Sequence, residues 1–168
     1  MAERFLDAVE FASLDPEQAS LYHLLSGRVD EGHGRLAEAI DTYGQVIAAD
    51  IRPTRAEAIY RTLYLLNEQG TLDLAKATET LSAEALLWRG NALEADMQAM
   101  LANFYFRDGD YRLGFETVQQ AVTYYPENRP VNALRDVAQA KFSELFLDGV
   151  ADSLPPVDAL SLYYDFRQ

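Results

Sequence analysis

Residues 95–128 read ADMQAMLANFYFRDGDYRLGFETVQQAVTYYPEN, and the fold turns on this stretch. Its first half puts Met97, Leu101, Phe104 and Tyr105 at helical spacing, and its second half does the same with Leu113, Val118, Ala121 and Val122. The RDGDY between them is a glycine turn too short for anything but a helix hairpin. Ala102 and Gly114 fall where two antiparallel helices must approach closely, because a longer side chain there would push the axes apart. Pro126 follows the second helix and stops it.

The same pattern recurs upstream, at a period close to the ~34 residues of a helix-pair repeat. From about 20 to 53, LYHLLSGRVDEG forms a first helix with Leu21, Leu24, Leu25 and Val29, and Gly27 takes the small position. RLAEAIDTYGQVIAAD forms the second, with Leu36, Ala39, Ile40, Tyr43, Val46 and Ile47 in one broad apolar stripe. A less regular unit spans about 56–90, with AEAIYRTLYLLNEQ, Gly70 as its turn and LDLAKATETL, its register open by one residue. The turn glycines Gly34, Gly70 and Gly109 are 36 and 39 residues apart, so the array is irregular. The surplus is assigned to SAEALLWRGN, where Trp88 either anchors a lengthened connection or stacks on a ligand.

On these residues the chain resembles the tetratricopeptide repeat family, as an irregular, bacterial-type member. With Ala95 as first position, Leu101, Ala102 and Tyr105 match the family's large, small and aromatic positions, and Gly114, Ala121 and Pro126 match the second-helix small positions and the final proline. GRLAEAI, from Gly34, matches the turn and second-helix start closely. Two departures stand out: Gln98 replaces the usual tryptophan, and Pro53 comes late. The resemblance implies an all-α fold, a right-handed α-solenoid of about three helix-turn-helix repeats forming one domain over 1–168. Its first helices would line a concave groove and its second helices face outward. Mapped onto this sequence, the lining is Leu21, Leu24 and Arg28 in the first unit, with Asp96, Ala99, Asn103 and Phe106 in the last. Tyr60, Arg61 and Tyr64 are the middle unit's candidates. Aromatics there offer contact area and arginines offer donors to a partner, while packing between repeats is the plain alternative for Tyr60 and Tyr64. Some family members clamp the carboxylate terminus of chaperone peptides with lysine and asparagine. Here Arg28 stands at the first clamp asparagine, so that ligand is not expected.

Solenoid ends need covers, because a terminal repeat has one neighbour only. Residues 3–12 read as a short capping helix with Phe5, Leu6, Val9 and Phe11 inward, and 128–147 as a long one carrying Val131, Leu134, Val137, Ala138, Phe142, Leu145 and Phe146. After DGVADSLPP, residues 156–167 read as a last helix with Pro156 in its first turn. Leu160, Leu162, Tyr163, Tyr164 and Phe166 load it with apolar surface. Either they fold back on the preceding helix, or they meet another surface: a second copy, or the rest of a longer protein of which the chain is a fragment.

Composition narrows the function. Among 168 residues, 49% hydrophobic and 24% charged describes a folded chain rather than a disordered one. Cysteine is absent, which excludes disulfides, thiol nucleophiles and thiolate metal sites. With 27 acids against 14 bases the net charge is -13, a field that repels phosphate backbones and anionic lipid, so nucleic acid is not an expected partner. That charge serves solubility or steers the chain toward a basic partner. MAERFLDAVEF lacks the features of a secretory signal, and no run of ~20 apolar residues occurs, so the expectation is a cytoplasmic chain without membrane insertion.

Chemistry is sparse. Gly32-His33-Gly34-Arg35-Leu36-Ala37 formally fits a dinucleotide fingerprint, but the segment before it is helical and ends in two acids that would repel a pyrophosphate. His23 and His33 are the only histidines, and neither has metal-ligand spacing. Asp108-Gly109-Asp110 begins like a calcium loop, then fails at Leu113 and Gln119. No nucleophile is accompanied by a base and an orienting acid. The expectation is a non-enzymatic protein–protein interaction scaffold, without catalytic residue, cofactor or metal, that holds a peptide or helix of a partner. The alternatives are a structural or self-association module of a longer protein, or an accessory domain of an enzyme not contained in this chain.

Overall fold

The computed structural model describes residues 6, 9–87 and 92–167, and its regular elements are all helical. The helices are α1 (Pro16–Gly32), α2 (Leu36–Ala49), α3 (Thr54–Glu68), α4 (Leu74–Leu87), α5 (Ala92–Asp108), α6 (Tyr111–Tyr124), α7 (Arg129–Phe146) and α8 (Pro156–Phe166), with 3₁₀ turns at Phe11–Ser13 and Val150–Ser153. The expected all-α class is thus what the described residues show. They fall into two compact units, Met1–Asp73 and Leu74–Gln168, divided between α3 and α4 and so inside the predicted 56–90 repeat.

In the first unit, α1 begins at a capping box. The Asp15 carboxylate accepts from the Gln18 amide at 2.8 Å, the Gln18 side chain accepts from the Asp15 amide at 3.1 Å, and Pro16 occupies the first turn. The helix therefore starts before the apolar run from which the sequence reading placed it, because polar capping residues rather than apolar ones set its beginning. Gly34, at φ 76°, reverses the chain into α2. The two helices then approach closely at Gly27, where an added Cβ would sit 2.6 Å from the Tyr43 ring. Tyr43 is fully buried and joins Leu24, Ala39, Val46, Ala58 and Leu65 in the core. Three contacts fall in the same order along α1 and α3: Ser20 to Thr54 at 2.6 Å, Arg28 to Glu57 at 3.5 Å, and Glu31 to Arg61 at 3.1 Å. The two helices consequently run parallel.

Half of the predicted helix 3–12, Phe5 included, lies outside the described residues. Its described part corrects the expectation: Val9 and Phe11 are exposed rather than inward. Phe11 belongs to the 3₁₀ turn and lays its ring beside Tyr22 and His23, at 5.2 and 5.0 Å, on the outer side of α1.

In the second unit, α4 packs on α5 and continues to Leu87, so the residues SAEALL are helix rather than connection. Their alanines, leucines and glutamate are strong helix formers, and Leu81, Glu84 and Ala85 are buried along one side. Trp88 lies outside the described residues. The α5–α6 turn uses Gly109 at φ 83°, and the Asp110 carboxylate accepts from the Leu113 amide at 3.2 Å to cap α6. The small position Gly114 does what was expected of it: a Cβ there would sit 2.5 Å from the Phe106 ring. Leu113, expected inward, is 40% exposed. The inner face of α6 is instead Gly114, Phe115, Thr117, Val118 and Ala121, because the close approach at Gly114 sets the helix rotation.

Asn128 caps α7 by accepting from the Val131 amide at 3.0 Å, and α7 packs on both α5 and α6. α8 folds back. Leu162 is buried, Phe166 stacks on Phe115 at 5.0 Å, and Arg112 of α6 reaches Asp165 at 3.0 Å and Ser161 at 2.7 Å. Of the two outcomes open for this helix, folding back holds for Leu162 and Phe166. Leu160 and Tyr164 remain exposed.

Candidate functional site

The residues mapped to a groove take several different positions. In the first unit Leu24 belongs to the core and offers no free side chain, while Leu21 is exposed one turn before exposed Leu25. Arg28 is exposed and lies 3.5 Å from Glu57. Arg61 is more committed: its Nε donates to Glu57 at 2.9 Å and its NH1 to Glu31 at 3.1 Å. Glu31 also accepts from the Tyr43 hydroxyl at 2.7 Å, so one carboxylate joins the buried phenol to the arginine. Burial, then the bond and charge of Glu31, push the Tyr43 hydroxyl well above the ordinary tyrosine range. Burial alone would lower Arg61, but its bond to Glu57 and the Glu31 charge outweigh that and raise it. A partner carboxylate must compete with Glu31 and Glu57 for this guanidinium. Tyr60 and Tyr64 stack on each other at 6.5 Å along α3, with Tyr64 exposed.

In the second unit Ala99 and Phe106 are buried. Phe106 turns inward because Gly114 leaves room for its ring, which then meets Phe115 edge-on at 5.0 Å. Asn103 is exposed, its amide donating to the Ala99 carbonyl at 2.9 Å. Asp96 is half-buried, and burial raises its carboxyl above the usual range against an opposing hydrogen bond with Asn128. Asp96 near the start of α5 and Asn128 at the start of α7 thus repeat the parallel placement of α1 and α3.

An open concavity of this unit lies elsewhere. Between α6 and α7, with the end of α8 at one side, runs an open groove of about 640 Å³. Phe115, Val118, Gln119 and Val122 line it from α6, Arg135, Ala138, Gln139, Phe142 and Ser143 from α7, and Phe166 and Arg167 from the chain's end. Each helix contributes at spacings of three and four, the signature of one helical face. No acid is among these residues. A shallower hollow of about 480 Å³ adjoins α8, with Phe146, Leu154, Leu160, Tyr163 and Tyr164 in its wall.

In the sequence Val118, Val122, Ala138 and Phe142 read as ordinary core, which holds for Val118, while Val122, Ala138 and Phe142 are half-buried in the groove. In α7, Val131, Leu134, Ala138, Phe142 and Leu145 follow one another at spacings of three and four on one helical face, buried at Val131, Leu134 and Leu145 and half-buried at Ala138 and Phe142, so the sequence pattern does not separate groove from core.

The arrangement presents packing surface, amides and guanidinium groups rather than a reactive constellation. Among the described residues, no group of three histidines, cysteines or acids is arranged to hold a metal ion, and no helix is long and apolar enough to cross a membrane. Two buried acids, Glu84 and Glu94, lie in the second unit, and Glu94 accepts a hydrogen bond from the Tyr125 hydroxyl. Compared with protein-family models, with curated proteins and with solved structures, the chain matches none.

Proposed function

We propose that the chain is a non-enzymatic interaction scaffold whose helix pairs, about 20–53, 56–90 and 95–128, stack in the tetratricopeptide manner and hold a peptide or helix of a partner protein. The observation that carries this reading is the open groove between α6 and α7, lined by apolar residues together with arginine, glutamine and serine. Such a surface costs hydration free energy while uncovered, about 25 cal/mol for each Å² of apolar area, and a docked side chain recovers it. The exposed Leu21, Leu25 and Tyr64 add apolar surface in the first unit. Panning a random peptide-display library against the immobilised chain tests the reading. Saturable, mutually competing peptides that are lost on urea unfolding are the expected result; a library that enriches nothing specific sinks it.

Self-association through α8 is a second reading, favoured by one observation. Val157 and Leu160 are 78% and 58% exposed, and Tyr163 and Tyr164 continue the surface beside the shallow hollow. Sedimentation velocity over a concentration series decides it. A dimer that Leu160→Glu dissociates supports this reading, and a strict monomer excludes it.

A further inference from the structure

We propose that the α6–α7 groove takes an amphipathic helix of a partner protein that presents two carboxylates about seven positions apart, one for Arg135 and one for Arg167. This rests on the scaffold reading above and names the chemistry of what that scaffold holds.

Charge is the first argument. Acids outnumber bases 27 to 14 in the chain, yet the groove wall has two arginines and no acid. Five other arginines meet carboxylates of the chain itself: Arg28 at Glu57, Arg35 at Asp30, Arg55 at Asp50, Arg61 at Glu31 and Glu57, and Arg112 at Asp165 and Glu116. Arg135 makes no ion pair or hydrogen bond among the described residues, and Arg167 only lies over the Tyr164 ring at 5.0 Å. Guanidinium groups beside an apolar floor, in a protein this rich in carboxylates, are donors kept for an external acceptor.

Spacing is the second. Phe115 meets Phe142 at 6.2 Å, and the antiparallel course of α6 and α7 then brings Val122 opposite Arg135. Phe166 stacks on Phe115, so Arg167 marks the other end. Seven residues of α6 separate Phe115 from Val122, about 10 Å at a helical rise of ~1.5 Å per residue. Two carboxylates at i and i+7 of a docked helix span the same distance on one face, with apolar side chains at i+3 and i+4 between them.

The third concerns backbone. An extended peptide over Val118, Val122 and Phe142 would turn backbone amides and carbonyls toward a floor with few partners for them. A helix satisfies those groups internally and packs its side chains into the ridges of α6 and α7. The net charge of -13 opposes an acidic partner as a whole, so the two carboxylates belong to a segment of otherwise neutral charge.

The probe is a capped, fluorescein-labelled alanine-rich helical peptide with leucine at i+3 and i+4 and glutamate at i and i+7. A control carries lysine at both charged positions. Anisotropy titrations on the full chain are expected to show the glutamate peptide binding at least ~10-fold tighter, an advantage that shrinks as salt rises. Arg135→Glu, at an exposed position and checked for folding by circular dichroism, should reverse the preference toward the lysine peptide. Gln139→Trp, which fills the groove from an exposed position, should lose both. Equal binding of the two peptides, or a preference indifferent to Arg135→Glu, overturns the assignment. Display-selected peptides that bind independently of Arg135 also overturn it, while leaving the scaffold reading intact. So does a dimer that Arg135→Glu dissociates, which would make a second copy the occupant.

Discussion

In the α1–α2 hairpin the glycine at the close approach is Gly27, on the first helix, and Tyr43 of the second helix covers it. In the α5–α6 hairpin the glycine is Gly114, on the second helix, and Phe106 of the first covers it. The packing problem is the same and its chemistry differs at the tip of the ring. Tyr43 ends in a hydroxyl that reaches Glu31 and, through it, Arg61 of α3. Phe106 has no polar tip and meets Phe115, which in turn contacts Phe142 of α7 and Phe166 of α8. One hairpin is joined to the next helix by a polar bridge, the other by a chain of aromatic rings. The comparison teaches where surface is left over: the polar bridge consumes its arginine, whereas the aromatic chain ends in Phe142 and Phe166, half-buried in the lining of a groove.

Removing the aromatic centre is the largest test of that contrast. Phe115→Ala is expected to cost about 3–5 kcal/mol in urea unfolding, because it opens a cavity among Phe106, Phe142 and Phe166. A loss below ~1 kcal/mol would mean that those rings do not hold the second unit together.

The glycines come next. In an ordinary helix interior Gly→Ala gains about 1 kcal/mol. Gly27→Ala and Gly114→Ala should instead each cost about 1–3 kcal/mol, because the new methyl overlaps a buried ring. Phe106→Leu should relieve Gly114→Ala, so that the double variant is more stable than the sum of the single losses predicts. Additive losses would place the strain elsewhere.

The polar bridge provides the smallest and most specific effect. Tyr43→Phe should cost about 1 kcal/mol near neutral pH by removing the bond to Glu31. Tyr43 also holds its proton in the folded chain to a higher pH than in the unfolded chain. Above the ordinary tyrosine value of about 10 the unfolded state therefore binds fewer protons, and folded stability falls as pH rises. Chemical denaturation at stepped alkaline pH should show this fall in the parent chain and a shallower one in Tyr43→Phe. Parallel slopes would detach Tyr43 from the alkaline loss.

Much of this architecture was legible beforehand. The small residue at Gly114, the turns at Gly34 and Gly109 and the stop at Pro126 each declare a local steric requirement that neighbouring residues alone define. Helix ends were less legible, since α1 starts at polar Asp15 and α4 runs on through SAEALL, where no glycine, proline or capping signal marks a helix end. Of the candidate site, Leu21 and Tyr64 are exposed as a binding surface requires, but Phe106 is in the core, and Phe115 and the α6–α7 groove passed unnoticed. A stripe at helical spacing says that a face is apolar; it does not say whether a neighbour covers it.

By itself the sequence determined that this chain is helical, where its hairpins turn and which positions must be small, because backbone sterics and side-chain period act within a few residues. Only the tertiary structure decided that Phe106 faces Gly114, that Phe166 returns to Phe115, and that Val122 and Phe142 remain partly uncovered in the groove that Arg135 also lines. Those outcomes depend on which elements meet and at what rotation. That choice is made by packing between residues far apart in the chain, and no local pattern records it.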